Sequence, residues 1–257
     1  MPRADFLDLP DRSRKPRTAG LTHVLDKGLP LADVRSLLGV CEPYVDVWKL
    51  GWGVAYVDPD VAAKVALLGD AGVRACTGGT LLELAWVQGR TARFLGWAAD
   101  CGFPCVEVSN GTVAMRAEDK RALIETASRR FTVLAEVGSK DPAAVVTPEA
   151  WARQAKADLA AGATWVVTEG REGGRVGLYE PDGRVRSEVV AALTAEVGVD
   201  RLIFEAPQRE QQVWLLRAFG PDVSLGNIPA GEVLGLETLR LGLRADTLVD
   251  PRPDRPQ

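Results

Sequence analysis

The chain has 257 residues, of which 46% are hydrophobic, and this length is typical of one (β/α)8 barrel. Its formal net charge is −4 at pH 7 with interspersed signs, which argues against general nucleic-acid binding because that role favours a basic face. No run approaches 18 uninterrupted apolar residues, and the charged N-terminus has no apolar signal-peptide region, so we expect a cytoplasmic protein that does not bind membranes.

Apolar runs with strand character alternate with longer amphipathic stretches along the chain. The predicted strands span 21–26, 44–49, 72–76, 103–108, 131–137, 164–169, 201–205 and 222–226. The predicted helices span 31–39, 59–70, 80–100, 117–129, 148–161, 187–197, 208–219 and 231–243. Alternating strands and helices predict a parallel sheet with crossover helices, and eight repeats favour closure into a single (β/α)8 barrel.

The predicted barrel, a single catalytic domain, occupies residues 20–250. An arm at 1–19 precedes it, and a Pro-rich tail at 251–257 with the composition of a disordered segment follows it. The longest predicted loop, 170–186, is rich in Gly and Arg and follows the sixth strand. It is either a cover over a substrate or a solvated insertion.

Four glutamates stand at or near the ends of successive predicted strands. They are Glu107, Glu136, Glu169 and Glu205. Because the C-terminal ends of the strands of a parallel barrel meet at one mouth, we expect these carboxylates to converge there. They would repel one another unless a cation or basic side chains compensate. The pattern therefore predicts a hard metal ion and an anionic substrate, and oxygen ligands without a His/Cys cluster favour Mg²⁺ over zinc.

Basic residues and glycines occur beside these carboxylates. Lys49 ends the second strand, where alternation puts it on the face of Val47; it either reaches the mouth or is a surface lysine with an extended stem. Lys140 follows the fifth strand and is either a proton donor or base, or a simple ion-pair partner. The Gly78-Gly79 turn offers backbone N–H groups beside a helix N-terminus, which suits a phosphate or carboxylate.

Other reactive residue types are few. The sole histidine, His23, excludes schemes that need two, and a lone histidine within a strand is more typical of a core than of a catalyst. The four cysteines do not complete a zinc set, and a cytosolic chain keeps them reduced. We interpret the tryptophans as packing residues, except Trp52, which is placed to line a pocket.

Several motifs together resemble the phosphosulfolactate synthase family. They are GLTHVLDKGLP at 20–30, YVDVWKLGWG at 44–53, GGTLLE at 78–83, GFPCVEVSNG at 102–111, AEVGSK at 135–140, EGREGG at 169–174, IFEAPQREQQ at 203–212, LGNI at 225–228 and ETLRLGLRADT at 237–247. They keep the family's order and spacing and span residues 20 to about 248.

The resemblance implies a (β/α)8 barrel that catalyses the Mg²⁺-dependent addition of sulfite to C3 of phosphoenolpyruvate, giving (2R)-phospho-3-sulfolactate. Lys140 is then the expected acid that protonates C2, with Lys49 as the alternative. We expect Mg²⁺ to draw its ligands from the four strand-end glutamates. The expected substrate-binding residues are Lys49, Gly78, Gly79, Ser109, Arg171 and Asn227.

Alternatives stay open at this point. The chain departs from the family pattern at Val54, Ala55, Thr77, Asn110, Ser139 and Gly173. Several of these changes remove hydroxyl or charged groups, so a related barrel enzyme that adds a different small nucleophile to phosphoenolpyruvate is the second hypothesis. A non-catalytic barrel that serves as a binding module is the third. The sequence also leaves open whether the chain forms a homo-oligomer.

Overall fold

The computed structural model describes residues 6–139 and 147–248, and its eight strands form a closed barrel in chain order. All neighbouring strands are parallel, including the closing pair of the first and the last. The strands are β1 Thr22–Asp26, β2 Val47–Leu50, β3 Arg74–Thr77, β4 Cys105–Val108, β5 Thr132–Val137, β6 Trp165–Thr168, β7 Leu202–Glu205 and β8 Leu225–Pro229. The predicted (β/α)8 barrel is confirmed.

Ten α-helices accompany these strands in the described ranges. They are α1 Leu31–Cys41, α2 Val54–Val57, α3 Val61–Asp70, α4 Gly79–Val87, α5 Thr91–Asp100, α6 Ala117–Ser128, α7 Pro148–Ala160, α8 Ser187–Val197, α9 Arg209–Phe219 and α10 Val233–Arg240. Local sequence explains several helix starts. Thr147 caps α7 by accepting a hydrogen bond from the N–H of Ala150 at 3.3 Å, and Gln208 and Gln211 form a capping box on α9.

Most strands and helices begin or end up to three residues from their predicted bounds, and three differences stand out. The single helix predicted over 80–100 is two helices, because the chain turns at Gly89 with φ of 63°. The short helix α2 was not predicted. Strand β8 begins at Leu225 rather than at 222, because the chain still turns at 221–222. The side chains of Asp222 and Ser224 there accept hydrogen bonds from Arg12 and from the N–H of Leu21.

Apolar side chains form two buried clusters, one inside the barrel and one around it. The inner cluster fills the barrel, which is therefore a packed core and not a pore. Its members are Leu21, Val47, Cys76, Cys105, Leu134, Trp165, Val167 and Ile203. A second, larger cluster lies between the strands and the helices. Because both faces of each strand are buried, the strands read as nearly continuous apolar runs.

The described part of the N-terminal arm packs against the barrel at the N-terminal ends of the strands. Arg17 is buried and pairs with Asp46 at 3.2 Å, and Arg12 pairs with Asp222 at 2.6 Å. The indole N–H of Trp165 donates to the carbonyl of Thr18 at 3.0 Å. The predicted tail at 251–257 lies outside the described residues. No helix in the described ranges is long and apolar enough to cross a membrane.

Candidate active site

Four buried glutamates surround the opposite, C-terminal end of the barrel. Glu107, Glu136 and Glu205 belong to β4, β5 and β7, and Glu169 directly follows β6. One carboxylate oxygen from each of Glu107, Glu136 and Glu205 lies within 4.8 Å of the other two. The expected convergence at the mouth is therefore present, with three of the four carboxylates in one tight cluster.

Lys49 supplies the positive charge of this cluster. Its Nζ donates to Glu107 Oε2 at 2.9 Å and to Glu205 Oε1 at 3.0 Å, and its side chain is 5% exposed. The alternative of an extended surface lysine is wrong, because β2 directs the side chain into the barrel as strand alternation requires. The ammonium group thus offsets part of the repulsion between the clustered carboxylates.

The titration behaviour of the cluster follows from burial and charge. Burial alone lowers the pKa of Lys49, but Glu107, Glu205 and Glu136 outweigh it and raise that pKa well above the ordinary value. Burial raises the pKa of Glu107, Lys49 lowers it, and Glu136 and Glu205 raise it again, with a net upward shift. Lys49 is consequently a firmly protonated cation, and the charge of Glu107 is costly in the absence of a further cation.

Backbone N–H groups orient two of the carboxylates. Gly79 donates to Glu107 Oε1 at 2.9 Å, and Gly170 donates to Glu205 Oε2 at 2.8 Å. The N–H of Gly78 donates to the carbonyl of Leu50 at 2.9 Å. The Gly79 N–H thus faces a carboxylate of the protein itself and the Gly78 N–H a backbone carbonyl, while the contact of this turn with the substrate stays a prediction. The two glycines still line the mouth cavity.

Ser109, expected to bind the substrate, and Glu169, expected to bind the metal, both contact other groups of the protein. The hydroxyl of Ser109 donates to Glu83 Oε1, and a Cβ at Gly79 would collide with it. Ser109 thus lies behind the cavity wall, where Glu83 also accepts the N–H of Thr112 at 2.8 Å. Glu169 lines the cavity, but its Oε1 accepts the N–H of Arg171 at 2.8 Å and it is not part of the three-carboxylate cluster.

A cavity of about 280 Å³ opens above the cluster, a size at the small end of ligand pockets. Its wall combines the acidic cluster and Lys49 with aromatic, cationic and amide groups. The other lining residues are Leu25, Gly51, Trp52, Gly78, Gly79, Thr80, Thr112, Glu169, Arg171, Glu172 and Asn227. Arg171 is exposed at the rim and has no ion-pair partner among residues 6–139 and 147–248.

Asn227 is brought into the cavity by an irregularity in β8. The register between β1 and β8 shifts where Gly226 and Asn227 face His23, as in a β-bulge, and Asn227 has a φ of 53°. Its side chain is buried, and within the described ranges Oδ1 has no hydrogen-bond partner. A buried amide without a partner is costly unless a ligand supplies one.

His23 lies inside the barrel below Lys49. It is fully buried, and neither ring nitrogen has a hydrogen-bond partner in the described part of the chain. Burial, and then the charge of Lys49, lower its pKa well below the ordinary value. A Cβ at Gly226 would lie 2.9 Å from His23 Nδ1, so the glycine makes room for the ring. The residue is a neutral core histidine, as its isolated position in a strand indicated.

Two buried lysines that sequence reasoning missed form ion pairs around the barrel, and one of them contacts a strand of the site. Lys120 on α6 donates to Asp158 Oδ2 on α7 and to the backbone carbonyl of Glu136, both at 2.6 Å. Lys64 on α3 pairs with Asp58 at 2.5 Å and with Asp26 at 3.4 Å. A signal for Lys120 was available, because it shares a helical face with the apolar residues at 123, 124 and 127.

The loop over 170–186 is fixed to the barrel rather than solvated throughout. Gln208 donates to the carbonyl of Gly173 at 2.6 Å, and Gln211 donates to that of Gly174 at 2.7 Å. The hydroxyl of Tyr179 donates to the backbone carbonyl of Glu205. Only the start of the loop, at Arg171 and Glu172, lines the cavity. Lys140, the expected proton donor, lies outside the described residues.

Comparison with known proteins gives the family. Residues 10–246 match the family model described as (2R)-phospho-3-sulfolactate synthase. The phosphosulfolactate synthase of Methanothermobacter thermautotrophicus is 44% identical over 250 residues, covering 95% of this chain and 96% of the relative. The phosphosulfolactate synthase of Bacillus subtilis is 38% identical over 247 residues, covering 95% and 98%. The chain belongs to the phosphosulfolactate synthase family.

Solved structures agree on the fold alone. The 3-hexulose-6-phosphate synthase of Salmonella typhimurium superposes with a TM-score of 0.57 at 15% identity, covering 85% of this chain and 97% of that one. The YdjI aldolase of Escherichia coli gives a TM-score of 0.56 at 15% identity, covering 83% and 76%. The phosphosulfolactate synthase family thus shares its barrel with enzymes that differ widely from it in sequence.

The site of this phosphosulfolactate synthase family member fits a hard divalent cation. One oxygen from each of Glu107, Glu136 and Glu205 lies within 4.8 Å of the other two, so a single cation between them could contact all three, and carboxylate oxygens are the donors that Mg²⁺ prefers. The three carboxylates exceed the single charge of Lys49. Burial first, and then Glu136 and Glu205, raise the pKa of Glu107, and a dication would offset the repulsion between the carboxylates. The cluster has no Cys or His donor, which disfavours zinc.

Proposed function

We propose that this enzyme catalyses the Mg²⁺-dependent addition of sulfite to C3 of phosphoenolpyruvate, giving (2R)-phospho-3-sulfolactate, and so belongs to the carbon–sulfur lyases. The observation that carries the proposal is the buried cluster of Glu107, Glu136 and Glu205 around Lys49, in a chain whose relatives are named phosphosulfolactate synthases. This set of charges suits a metal ion and an anionic substrate together.

The chain offers two cations and an amide for the substrate's phosphate and carboxylate. Arg171 at the rim has no carboxylate partner among the described residues and can form a bidentate pair with either group. Lys49 lies deeper, and the amide of Asn227 faces the same cavity. The cavity also holds acidic residues, which would repel a free anion. A cation bound between those carboxylates and the substrate would remove this repulsion.

The cluster glutamates would hold Mg²⁺, which acts as a Lewis acid on oxygens of the bound substrate. In the proposed reaction the sulfur lone pair of sulfite forms the C3–S bond, and the C2=C3 π electrons move to C2 and the adjacent carboxylate. A proton from the enzyme then forms the C2–H bond. Lys49 in the cavity contributes positive charge where the negative charge develops.

Proton delivery is assigned to Lys140, with Lys49 as the alternative. An efficient general acid has a pKa near the working pH, whereas the surrounding carboxylates raise the pKa of Lys49 well above its ordinary value against the effect of burial. That shift supports a charge-balancing role for Lys49 and leaves Lys140, which follows Ser139 in sequence, as the first candidate.

The departures from the family pattern bear on the nucleophile. Val54 and Ala55 belong to α2, Asn110 accepts a hydrogen bond from Gln154 at 3.3 Å, and neither these residues nor Thr77 or Gly173 line the cavity. Ser139, the remaining departure, is likewise not among the described lining residues. Since none of these positions lines the described cavity, they give no reason to replace sulfite by another nucleophile. This favours the sulfite reaction over the second hypothesis.

The test is incubation of the enzyme with phosphoenolpyruvate, MgCl₂ and sulfite, followed by mass spectrometry of the product, with thiosulfate, phosphite and a thiol as competing nucleophiles. The proposal expects phosphosulfolactate only with sulfite and its loss after EDTA treatment, with recovery on adding MgCl₂. A product from another nucleophile and none from sulfite would refute the substrate assignment. Full turnover after EDTA treatment would refute the metal assignment.

A further inference from the structure

Backbone strain is concentrated at the mouth cavity. In the part of the chain that the structure describes, three non-glycine residues have a left-handed backbone: Trp52, Arg171 and Asn227, with φ of 50°, 53° and 53°. All three line the cavity. This conformation is uncommon outside glycine. Asparagine tolerates it best, whereas for a bulky aromatic such as Trp52 it is an outlier. Such strain clusters at functional sites.

Trp52 is 41% exposed and belongs to neither buried core cluster, so core packing does not fix its conformation. The backbone around it is nevertheless firmly held. Gly51 donates its N–H to the carbonyl of Asp26 at 2.9 Å, and a Cβ at Gly78 would lie 2.5 Å from the backbone nitrogen of Trp52. The chain thus fixes an exposed indole at the rim of the cavity in an unfavourable conformation.

We propose that Trp52 is a substrate-contacting residue, which closes one side of the cavity over the bound ligand while Arg171 and Asn227 contact its polar groups. The identity of the ligand, phosphoenolpyruvate, rests on the proposed function. The indole provides an apolar surface against the methylene carbon that reacts, and it excludes water from that carbon. The strained backbone is retained because it places the ring there.

The first test separates backbone strain from side-chain contacts. Trp52→Gly and Trp52→Ala both remove the indole, so their difference in stability reports the backbone alone. Because only glycine adopts a positive φ without strain, Trp52→Gly should be more stable than Trp52→Ala in urea denaturation. Equal or greater stability of Trp52→Ala would overturn the strain argument.

Tyr56 is the matched control for this comparison. It is an exposed aromatic residue in the helix α2, four positions further on, and it does not line the cavity. There the order should reverse, with Tyr56→Ala about 2- to 5-fold more favourable in the folding equilibrium than Tyr56→Gly.

The second test measures binding of phosphoenolpyruvate with MgCl₂ by calorimetry. Trp52→Ala should raise the Kd about 10-fold, Trp52→Phe should recover most of the affinity, and Tyr56→Ala should match the parent. If the parent and Trp52→Ala bind equally well, the inference on Trp52 is wrong and the proposed function stands. If the parent itself does not bind phosphoenolpyruvate, the proposed function fails and the substrate contact of Trp52 fails with it.

Discussion

At the scale of single residues, the site is organised around one lysine. Lys49 is buried among three carboxylates, and its ammonium contacts two of them directly. A buried charge is stable only when it is paired and hydrogen-bonded, so the carboxylates and the lysine depend on one another. Arg171 differs because it is exposed at the rim and has no carboxylate partner in the described ranges.

Anion binding gives the first prediction. Arg171→Ala and Lys49→Ala should each weaken phosphoenolpyruvate binding by roughly 10- to 150-fold, because each removes a charge-assisted contact of about 1.5–3 kcal/mol. Calorimetry in the presence of MgCl₂ measures the effect. Lys156→Ala is the control, since Lys156 is exposed and pairs with Glu196 away from the cavity. Parental affinity in both variants would show that the anion is bound elsewhere.

Proton transfer gives the second prediction. Lys140→Met should lower turnover by about 10²- to 10⁴-fold, the usual contribution of a general acid, and should change substrate affinity less because the proton is needed only after the nucleophile attacks. The variant should also slow exchange of the C2 proton when the product is held in deuterated water. Near-parental turnover would show that the acid lies elsewhere, and Lys49 would be the next candidate.

At the scale of elements, two outer helices hold the end of a barrel strand. Lys120 of α6 and Asp158 of α7 are both almost fully buried, and the same ammonium group donates to the carbonyl of Glu136 in β5. Burial raises the pKa of Asp158 despite the lowering effect of Lys120. The helix pair therefore contributes to the position of one of the clustered glutamates.

This ion pair gives the third prediction. Lys120→Met should lower the free energy of unfolding by about 3–5 kcal/mol, because it leaves the Asp158 carboxylate buried without its partner. The double variant Lys120→Met/Asp158→Leu should recover much of that loss, since both charges are then absent. Urea denaturation of the two single variants and the double variant measures the coupling. A double variant as unstable as the sum of the single variants would exclude the pair as a unit.

At the scale of the whole molecule, the sequence predicts the barrel because the repeating unit, one strand followed by one helix, is encoded in consecutive residues. Each apolar run followed by an amphipathic stretch specifies one strand and one helix, and Glu107, Glu136 and Glu205 could be placed at the mouth from their positions in those runs. The alternation in β2 likewise predicts the inward side chain of Lys49.

What the sequence did not predict depends on contacts between distant segments. The helical face of Lys120 indicates that it is buried, but its partner Asp158 lies 38 positions away, as does Asp26 from Lys64. The N–H of Gly79 is taken by Glu107, 28 positions away, and the hydroxyl of Ser109 by Glu83, 26 positions away. Such pairings follow from the packing of neighbouring strands and not from any local pattern, so the sequence could not show that Gly79 and Ser109 contact glutamates of the protein.

The stability of the whole barrel should depend on pH through His23, which is the fourth prediction. Its pKa is lowered well below 6.5 by burial and then by Lys49, so the unfolded chain binds a proton more readily than the folded chain. Stability from this residue is therefore fully present above pH 6.5 and is lost as the pH falls towards the lowered pKa, by up to about 1.4 kcal/mol per pH unit. Glu107 acts in the opposite direction, because its raised pKa makes the folded state bind a proton more readily in acid.

The measurement compares the parent with His23→Gln and His23→Leu in urea denaturation from pH 7.5 to 5. The contribution of Glu107 is common to all three proteins and cancels in the comparison. Both variants should lose the same downward slope that the parent shows below pH 6.5. If the parent and both variants have parallel curves, the neutral histidine inside the barrel does not set the acid limit of the fold.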